Sequence, residues 1–303
     1  MGKVKVPSAF RRVVTSEQGA VFHGGYLWKI GEVVSGVEYP NILEDLVRLY
    51  PLVVKAFARG QEKVAISLPA EAYVSSLKKG EGVIQELERK IKEETGVSVE
   101  VYPQGVSALA QIFAETKELD EGALTLVIDG GFNTINIAVA NANMNIPFVF
   151  TYYNEFGIRD LLTTFAELLR ERIKVEMTAN LQKLKQAFLR GKVDVGFNQV
   201  EVNGEKAHAI DVFIDKLWAR LRGDLIRAGV EFEQIVVVGG LAYYIGDVLK
   251  EKTNKPVFIP SQDAEFYTAM GMHRLSGLPA IDFGFGDIKL CGFSEEAGKE
   301  ESE

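Results

Sequence analysis

Val-Ile-Asp-Gly-Gly-Phe-Asn-Thr at residues 127–134 and Ala-Ile-Asp-Phe-Gly-Phe-Gly-Asp-Ile-Lys at residues 280–289 are two versions of one pattern. In each, an apolar strand ends at an aspartate, a glycine follows two residues later, and a tight turn leads into another strand. Glycines let backbone N–H groups approach an anion closely, and an aspartate at a strand end can hold Mg²⁺, usually through water. Two such turns facing each other would clamp the phosphates of a nucleotide between Asp129 and Asp282.

A third glycine turn follows another buried strand. Residues 235–243 read Ile-Val-Val-Val-Gly-Gly-Leu-Ala-Tyr, which predicts a strand, a Gly-Gly turn and a helix. Without side chains at Gly239 and Gly240, a nucleoside could pack directly on the backbone. Strands alternate with helices along the rest of the chain, a pattern typical of α/β proteins with buried sheets.

The composition of the 303-residue chain excludes several classes of protein. No apolar run reaches the ~18 residues of a membrane span, and the first residues lack the apolar stretch of a signal peptide, so we expect a cytoplasmic protein. The single cysteine, Cys291, excludes an intrachain disulfide and a cysteine-built zinc site. A net charge of −8 disfavours direct nucleic-acid binding, which needs a basic face.

Together the three turns resemble the phosphate-1, phosphate-2 and adenosine motifs of the actin, heat-shock-chaperone and sugar-kinase ATPases. More narrowly, the chain resembles prokaryotic actin-like ATPases of the ParM and archaeal-actin type. The resemblance implies an actin-like (ribonuclease H-like) two-domain α/β fold with a nucleotide in the cleft between the domains. Domain I would comprise residues 1–120 and 261–303, and domain II residues 121–260. Residues 102–108 and 266–272 resemble the two connecting helices of that fold.

The order of the motifs differs from that of the family. Phosphate-1 opens the chain in actin-like proteins, whereas here Asp282-Phe-Gly284-Phe-Gly286-Asp-Ile-Lys289 lies near the C-terminus. The N-terminal Gly2-Lys-Val-Lys-Val-Pro-Ser8 resembles the strand that follows phosphate-1 in prokaryotic relatives. We therefore interpret the chain as circularly permuted, with its ends at the tip of an exposed hairpin, where new termini cost little.

The resemblance implies roles for individual residues. Gln104 would orient the attacking water, with capping of the following helix as the alternative role, while Asp129 and Asp282 would take part in catalysis and hold Mg²⁺, mainly through water. The phosphates would be bound by Gly130, Gly131, Thr134, Gly284, Phe285, Gly286 and Lys289, and the nucleoside by Gly239, Gly240 and Lys183. Phe285 replaces a frequent serine, so its contact would come from the backbone. Asn136 stands where relatives often have aspartate, which predicts slow hydrolysis.

Two functions are open at this point. The first is an ATPase, using ATP or GTP with Mg²⁺, that forms head-to-tail filaments and segregates plasmid-like DNA through an adaptor protein. The second is a non-polymerising member of the superfamily, either a small-molecule kinase or a nucleotide-binding adaptor. The sequence lacks Gly-x-x-x-x-Gly-Lys-Ser/Thr, so it is not a P-loop NTPase, and only 19 residues follow Gly284, too few for the protein-kinase interpretation of Asp282-Phe283-Gly284.

Overall fold

A computed structural model of the chain describes residues 2–15, 17–34, 38, 40, 43–79, 82–153, 156–174 and 181–293. In chain order its strands are β1 (Lys3–Pro7), β2 (Phe10–Val13), β3 (Val21–His23), β4 (Tyr26–Ile30), β5 (Lys63–Leu68), β6 (Ser98–Pro103), β7 (Thr125–Gly130), β8 (Thr134–Ala140), β9 (Phe148–Tyr153), β10 (Lys192–Val195), β11 (Asn198–Glu201), β12 (Gln234–Val238), β13 (Val257–Phe258), β14 (Ala280–Phe283) and β15 (Asp287–Cys291). Its helices are α1 (Leu43–Phe57), α2 (Ala70–Lys79), α3 (Val83–Thr95), α4 (Ala108–Glu115), α5 (Ile158–Ile173), α6 (Leu181–Arg190), α7 (Asn203–Ala228), α8 (Ala242–Glu251) and α9 (Tyr267–Ser276), with a 3-10 turn at Ala264–Phe266.

Two five-stranded sheets repeat one arrangement. The strand order is β1-β15-β14-β5-β6 in the first sheet and, read in the same direction, β9-β8-β7-β12-β13 in the second. In both, the central strand (β14 or β7) pairs antiparallel with the strand that follows it in the chain (β15 or β8). On its other side, the central strand pairs parallel with β5 in the first sheet and with β12 in the second. The first sheet draws its strands from both ends of the chain, whereas the second takes them from the middle.

The alternation of side chains along the central strands gives each sheet two buried faces. On β7, Leu126 and Ile128 pack in the outer core beneath α5 and α7, whereas Val127 faces inward. On β14, Ile281 packs in the outer core beneath α1 and α3, whereas Ala280 faces inward. The inward residues of the two sheets belong to one shared apolar cluster. The next inward position on each strand is therefore directed at the space between the sheets.

Helices α4 and α9 occupy that space and pack on each other. They begin in the two segments that resemble the connecting helices, at residues 102–108 and 266–272. A Cβ atom on Gly271 would lie 1.8 Å from the carbonyl oxygen of Ser107, so the helices cross too closely for any side chain at this position. Two smaller parts complete the fold: a β2-β4-β3 sheet that contacts α1, and a β10-β11 hairpin between α6 and α7. Within the described ranges, no helix combines the length and the apolar character needed to cross a membrane.

Candidate nucleotide-binding cleft

A cleft of about 210 Å³ lies between the sheets, at the carboxyl ends of β7, β12 and β14. Every residue that the sequence predicts for the site lines this cleft, except Lys183. The predicted residues brought together are Gln104, Asp129, Gly130, Gly131, Thr134, Gly239, Gly240, Asp282, Gly284, Phe285, Gly286 and Lys289. Others that line it are Lys5, Phe132, Asn136, Ile158, Lys185, Tyr243, Tyr244, Glu265 and Asp287.

The β14–β15 hairpin forms the first wall. Asp282 is the next inward residue after Ala280 and is 5% exposed. Its Oδ1 accepts a hydrogen bond from the Ser67 hydroxyl at 2.7 Å, and the Tyr50 hydroxyl donates to the Ser67 carbonyl at 2.5 Å. Lys289 lies opposite Asp282 in the strand register, with its Nζ 3.5 Å from Asp282 Oδ2. The hairpin thus presents a carboxylate and an ammonium group side by side.

Lys289 keeps its charge although most of its side chain is covered. Burial lowers the pKa of Lys289, but the carboxylates of Asp282, Asp287 and Asp129 outweigh that effect and raise the pKa above its ordinary value. Lys289 is therefore a fixed cation at neutral pH. A compact ammonium with three donors is well suited to bridging phosphate oxygens.

The turn between β14 and β15 is held in place by the first residues of the chain. The Ser8 hydroxyl donates to the carbonyl of Gly284 at 2.7 Å, and the Ser8 backbone N–H donates to the carbonyl of Gly286 at 3.0 Å. Within the turn, the N–H of Gly284 donates to the carbonyl of Asp287 at 3.1 Å. The geometry of the C-terminal glycine turn therefore depends on an N-terminal residue.

Asp129 and the turn after β7 form the second wall. Asp129 is the next inward residue after Val127, and the Thr268 hydroxyl lies 3.5 Å from its Oδ2. Burial, with the negative charge of Asp282, raises the pKa of Asp129 to about 7 against the opposing effect of Lys289. Asp129 is therefore only partly ionised at neutral pH. A cation bound between Asp129 and Asp282 would offset the repulsion between the two carboxylates.

In the third turn, the close approach of the second wall requires a glycine at position 239. Gly239 has a φ of +76°, a conformation that L-residues rarely adopt. A Cβ atom there would lie 2.5 Å from the Gly130 carbonyl oxygen and 2.6 Å from Asp129 Oδ1. At Gly240, a Cβ atom would lie 3.1 Å from Ile158 Cδ1. The turn after β12 therefore presents bare backbone to the cleft.

Gln104 lies at the base of the cleft, between β6 and α4, and is 6% exposed. Its Nε2 donates to Ser67 Oγ and Asp282 Oδ1, both at 3.2 Å, and to the carbonyl of Phe283 at 3.3 Å. Its Oε1 accepts from Asn136 Nδ2 at 3.3 Å. The amide thus bonds to both walls of the cleft rather than to the N-terminus of α4.

Helix α6 brings Lys185, and not Lys183, to the cleft. Lys183 is exposed, whereas Lys185 lies with its Nζ 4.5 Å from the centre of the Phe132 ring, and burial lowers its pKa. The buried stripe of α6 is centred near Leu184, and residues one step before and after it lie ~100° to either side. The apolar pattern of the helix therefore does not distinguish the two lysines.

Charged side chains at the rim of the cleft pair with one another and with helix α8. Lys5 Nζ on β1 lies 2.8 Å from Glu265 Oε1, and Lys3 pairs with Asp263. The Tyr243 hydroxyl on α8 donates to Glu265 in turn. Burial alone would raise the pKa of Glu265, but the bonds from Lys5 and Tyr243 lower it below its ordinary value. Lys5, Tyr243 and Glu265 form no local pattern in the sequence, because they and their partners lie about 20 to 260 residues apart in the chain.

The donor set of the cleft fits Mg²⁺. Among the described residues, no three His, Cys, Asp or Glu side chains converge into a site that would enclose a metal ion. The cleft instead offers two carboxylates, Asp129 and Asp282, and the charge of Asp282 adds to burial in raising the pKa of Asp129. Mg²⁺ is commonly held by one or two carboxylates, with waters and substrate phosphates supplying its other ligands.

No protein-family model matches this sequence, and no functionally characterised protein matches it at the level of sequence. Solved structures do share its fold. An archaeal actin homolog, Ta0583, is 17% identical over 90% of this chain and 92% of its own, with a TM-score of 0.67, and has also been solved in complex with ADP. A ParM from Clostridium botulinum, in a 15-stranded filament, is 14% identical over 88% of this chain and 90% of its own (TM-score 0.58). Bacillus thuringiensis ParM with ATP is 14% identical over 88% and 84%, respectively (TM-score 0.52).

The breadth of these matches fits the architecture described above: two repeated sheets, two helices crossing between them, and a cleft at the carboxyl ends of the central strands. At 14–18% identity the likeness is one of fold. The chain therefore has the actin-like α/β fold that its three glycine turns predict.

Proposed function

We propose that this protein binds a nucleoside triphosphate with Mg²⁺ in the cleft and hydrolyses it slowly. One observation carries the proposal: Asp129 and Asp282 stand at equivalent ends of two central strands and reach one cleft, where Lys289 supplies a fixed positive charge. The glycine turns beside them bring the backbone to the cleft without side chains. Ta0583 with ADP and a ParM with ATP, both of the same fold, support a nucleotide as the ligand.

In this proposal the protein residues have separate tasks. Lys289, with the turn at Gly284 and Gly286, binds one side of the phosphates, and Gly131 and Thr134 bind the other. Asp129 and Asp282 hold Mg²⁺, mainly through water, and bound Mg²⁺ neutralises phosphate charge. Gln104 orients the attacking water, and because a neutral amide is a weak base, its contribution is positioning.

The described cleft is narrow for such a ligand. Ligand pockets usually enclose about 300–1,000 Å³, and this one encloses about 210 Å³. At its rim, the hydrogen bond from the Tyr243 hydroxyl to Glu265 joins residues 121–260 to residues 261–303. Nucleotide entry would therefore separate the two halves, which we assign to residues 1–120 with 261–303 and to residues 121–260. Reclosure on the triphosphate would change the relative orientation of the halves.

We further propose that the protein assembles into head-to-tail filaments that move plasmid-like DNA through an adaptor. A ParM of the same fold has been solved as a filament, which supports self-assembly. A head-to-tail contact that does not close on itself gives an open helical polymer, and a change in the orientation of the halves can switch such a contact. The net charge of −8 makes an adaptor a better DNA contact than the protein itself.

The sheet topology supports a circular permutation. In the second sheet, β7, β8 and β9 follow one another in the chain, whereas in the first their equivalents are β14, β15 and β1. β15 pairs with β1 from Lys3↔Cys291 to Pro7↔Asp287, and the N–H of Gly292 donates to the carbonyl of Gly2 at 3.3 Å. A short loop from residue 292 to residue 2 would restore the chain order of the second sheet.

Two measurements test the proposal. Thermal unfolding with ATP, GTP or ADP in Mg²⁺ should show a nucleotide-dependent rise in melting temperature, because a ligand that binds the folded state stabilises it. A protein with unchanged melting temperature at millimolar concentrations of each nucleotide does not have the proposed site.

Sedimentation and electron microscopy with Mg²⁺–ATP, at varied salt and crowding, test assembly. Polymer in the pellet with ATP and its loss without nucleotide are expected. A monomer that hydrolyses ATP would contradict the filament, and a monomer that transfers phosphate to a small molecule would establish the kinase alternative.

A further inference from the structure

A row of buried polar side chains connects the two walls beneath the cleft. Gln104 donates to Asp282, and Asn136 Nδ2 donates to Gln104 Oε1 at 3.3 Å. The Thr151 hydroxyl donates to Asn136 Oδ1 at 3.0 Å, and the Thr151 backbone N–H donates to Glu71 Oε2 at 3.0 Å. Gln104, Asn136 and Thr151 are 6%, 8% and 4% exposed, so water does not readily replace these partners.

The bonds in this row have one consistent direction. An ionised carboxylate only accepts, so Asp282 requires the NH₂ end of the Gln104 amide. The carbonyl end of Gln104 then faces Asn136 and requires a donor, which the Asn136 NH₂ supplies. The carbonyl of Asn136 in turn requires a donor, which the Thr151 hydroxyl supplies. Each amide in the row is therefore held with its NH₂ end toward Asp282 and its carbonyl end toward Thr151.

We propose that Asn136 is the positioning residue that fixes the Gln104 amide for hydrolysis, with Thr151 and Glu71 anchoring it. The inference rests on the proposed function, in which Gln104 orients the attacking water. An amide that rotates by 180° exchanges its donor and acceptor ends, and a water oriented by the wrong end is misdirected. Asn136 acts through Gln104 and is not required to touch the nucleotide.

The row also crosses from one half of the molecule to the other. Glu71 on α2, Gln104 and Asp282 lie with the first sheet, whereas Asn136 on β8 and Thr151 on β9 lie in the second. The two bonds that cross are Asn136 to Gln104 and Thr151 to Glu71. The carbonyl end of Gln104 therefore keeps its donor only while the halves keep this relative position, which makes hydrolysis depend on closure of the cleft.

This role explains why an amide suits position 136 better than the carboxylate that relatives often have. An ionised aspartate has no proton to donate, so it would set a carboxylate oxygen against Gln104 Oε1. Gln104 would then face acceptors at both ends, and its NH₂ could satisfy only one of them. Asn136→Asp, although nearly the same size, should therefore lower kcat at least as much as Asn136→Ala.

A double-mutant cycle tests the inference. The turnover of saturating Mg²⁺–ATP, the nucleotide Kd and the melting temperature are measured for wild type, Asn136→Ala, Gln104→Ala and the double variant. We expect Asn136→Ala to lower kcat about 10-fold in the wild-type background and less than about 2-fold in the Gln104→Ala background, because residues that act as a unit are non-additive. The nucleotide Kd should change by less than about 3-fold, since position 136 contributes orientation rather than affinity.

Two threonine variants provide a matched comparison. Thr151→Val removes the hydroxyl but keeps the backbone N–H that bonds to Glu71, so it should lower kcat in the same direction as Asn136→Ala. Thr125→Val removes another buried hydroxyl of the same sheet, one that donates to the carbonyl of Ala123 and lies outside the row, and should leave kcat unchanged.

Equal losses of kcat from Asn136→Ala in both backgrounds would show a merely structural role and overturn the inference. So would an Asn136→Asp variant with wild-type turnover. A wild-type protein that binds Mg²⁺–ATP but has no measurable turnover would overturn the hydrolysis that the inference requires, and one that binds no nucleotide would overturn the proposed site itself.

Discussion

Replacing Asp129 by asparagine should change how the stability of the nucleotide-free protein depends on pH. Burial and the neighbouring charge of Asp282 raise the pKa of Asp129 to about 7, from an ordinary value of 3.8. A carboxyl group whose pKa is raised by folding binds its proton more tightly in the folded state. The resulting stabilisation is complete below the unfolded pKa and is lost as the pH rises through the folded pKa. An asparagine side chain does not titrate, so the variant lacks this loss.

The size of the effect follows from the two pKa values. At pH 5 the folded-state pKa of Asp129 lies about two units above the pH, and each unit corresponds to about 1.4 kcal/mol of stabilisation. At pH 8.5, above the folded-state pKa, this stabilisation is gone. The wild type should therefore lose about 3 kcal/mol over that range through Asp129 alone. At roughly 2 °C per kcal/mol for a chain of this size, the melting temperature of Asp129→Asn should gain about 6 °C relative to wild type between pH 5 and pH 8.5.

Thermal unfolding without nucleotide, followed by circular dichroism at pH steps from 5 to 8.5, measures this difference. Asp194→Asn on the exposed β10–β11 hairpin is the control and should follow the wild type at every pH. Adding Mg²⁺–ATP at pH 8 should stabilise the wild type more than Asp129→Asn, because only the wild type retains both carboxylates. Melting temperatures of wild type and Asp129→Asn that run parallel across the pH range would refute the electrostatic reasoning.

Three further variants test the walls of the cleft. Gly239→Ala should lower the unfolding free energy, measured in urea, by about 3 kcal/mol, because the alanine would have a positive φ and a backbone contact at 2.5 Å. Gly204→Ala is the control and should lower it by nothing, because a Cβ atom there meets nothing within 4 Å. Equal unfolding free energies for the two variants would contradict the predicted strain at Gly239. Lys289→Met should weaken Mg²⁺–ATP binding at least about 10-fold in calorimetry, and unchanged affinity would remove Lys289 from the site. Lys185→Met should weaken binding several-fold while Lys183→Met does not, and the reverse order would restore the position predicted from the sequence.

The features that the sequence predicts best are those that depend on local chemistry. The three glycine turns are recognisable because each needs small residues directly after a buried strand, and the strands before them are runs of apolar residues. Their meeting in one cleft follows from the fold that the turns imply. The aspartates face inward because they continue the alternation that begins at Val127 and Ala280.

Other elements carry too little periodic signal to be predicted. Helix α2 buries only Ala70 and Ser76, so it has no apolar stripe. Helix α7 begins at Asn203, although its apolar pattern starts near Ile210, because its first turns are polar. Strand β9, in contrast, reads Phe-Val-Phe-Thr-Tyr-Tyr, a β-branched and aromatic composition typical of a strand.

Partners that are distant in sequence set the remaining properties of the site. The pairing of Lys5 with Glu265 and the choice between Lys183 and Lys185 both depend on how separate elements pack. A helix stripe or strand alternation determines which side of an element is buried, but not which neighbour covers it. Most of the site residues predicted from the sequence therefore lie in local turns, whereas those found only in the structure reach the cleft through tertiary contacts.

The repeated topology also shows how the two halves of the cleft became different. In the strand register, Asp282 on β14 lies opposite Lys289, and Asp129 on β7 lies opposite Asn136. Lys289 and Asn136 therefore occupy equivalent positions in the two sheets. The lysine gives Asp282 a cation at 3.5 Å, whereas the amide leaves Asp129 without one at that position, consistent with its raised pKa. In the function proposed above, the same position thus supplies charge for phosphates in one half, and in the other the neutral donor that orients Gln104.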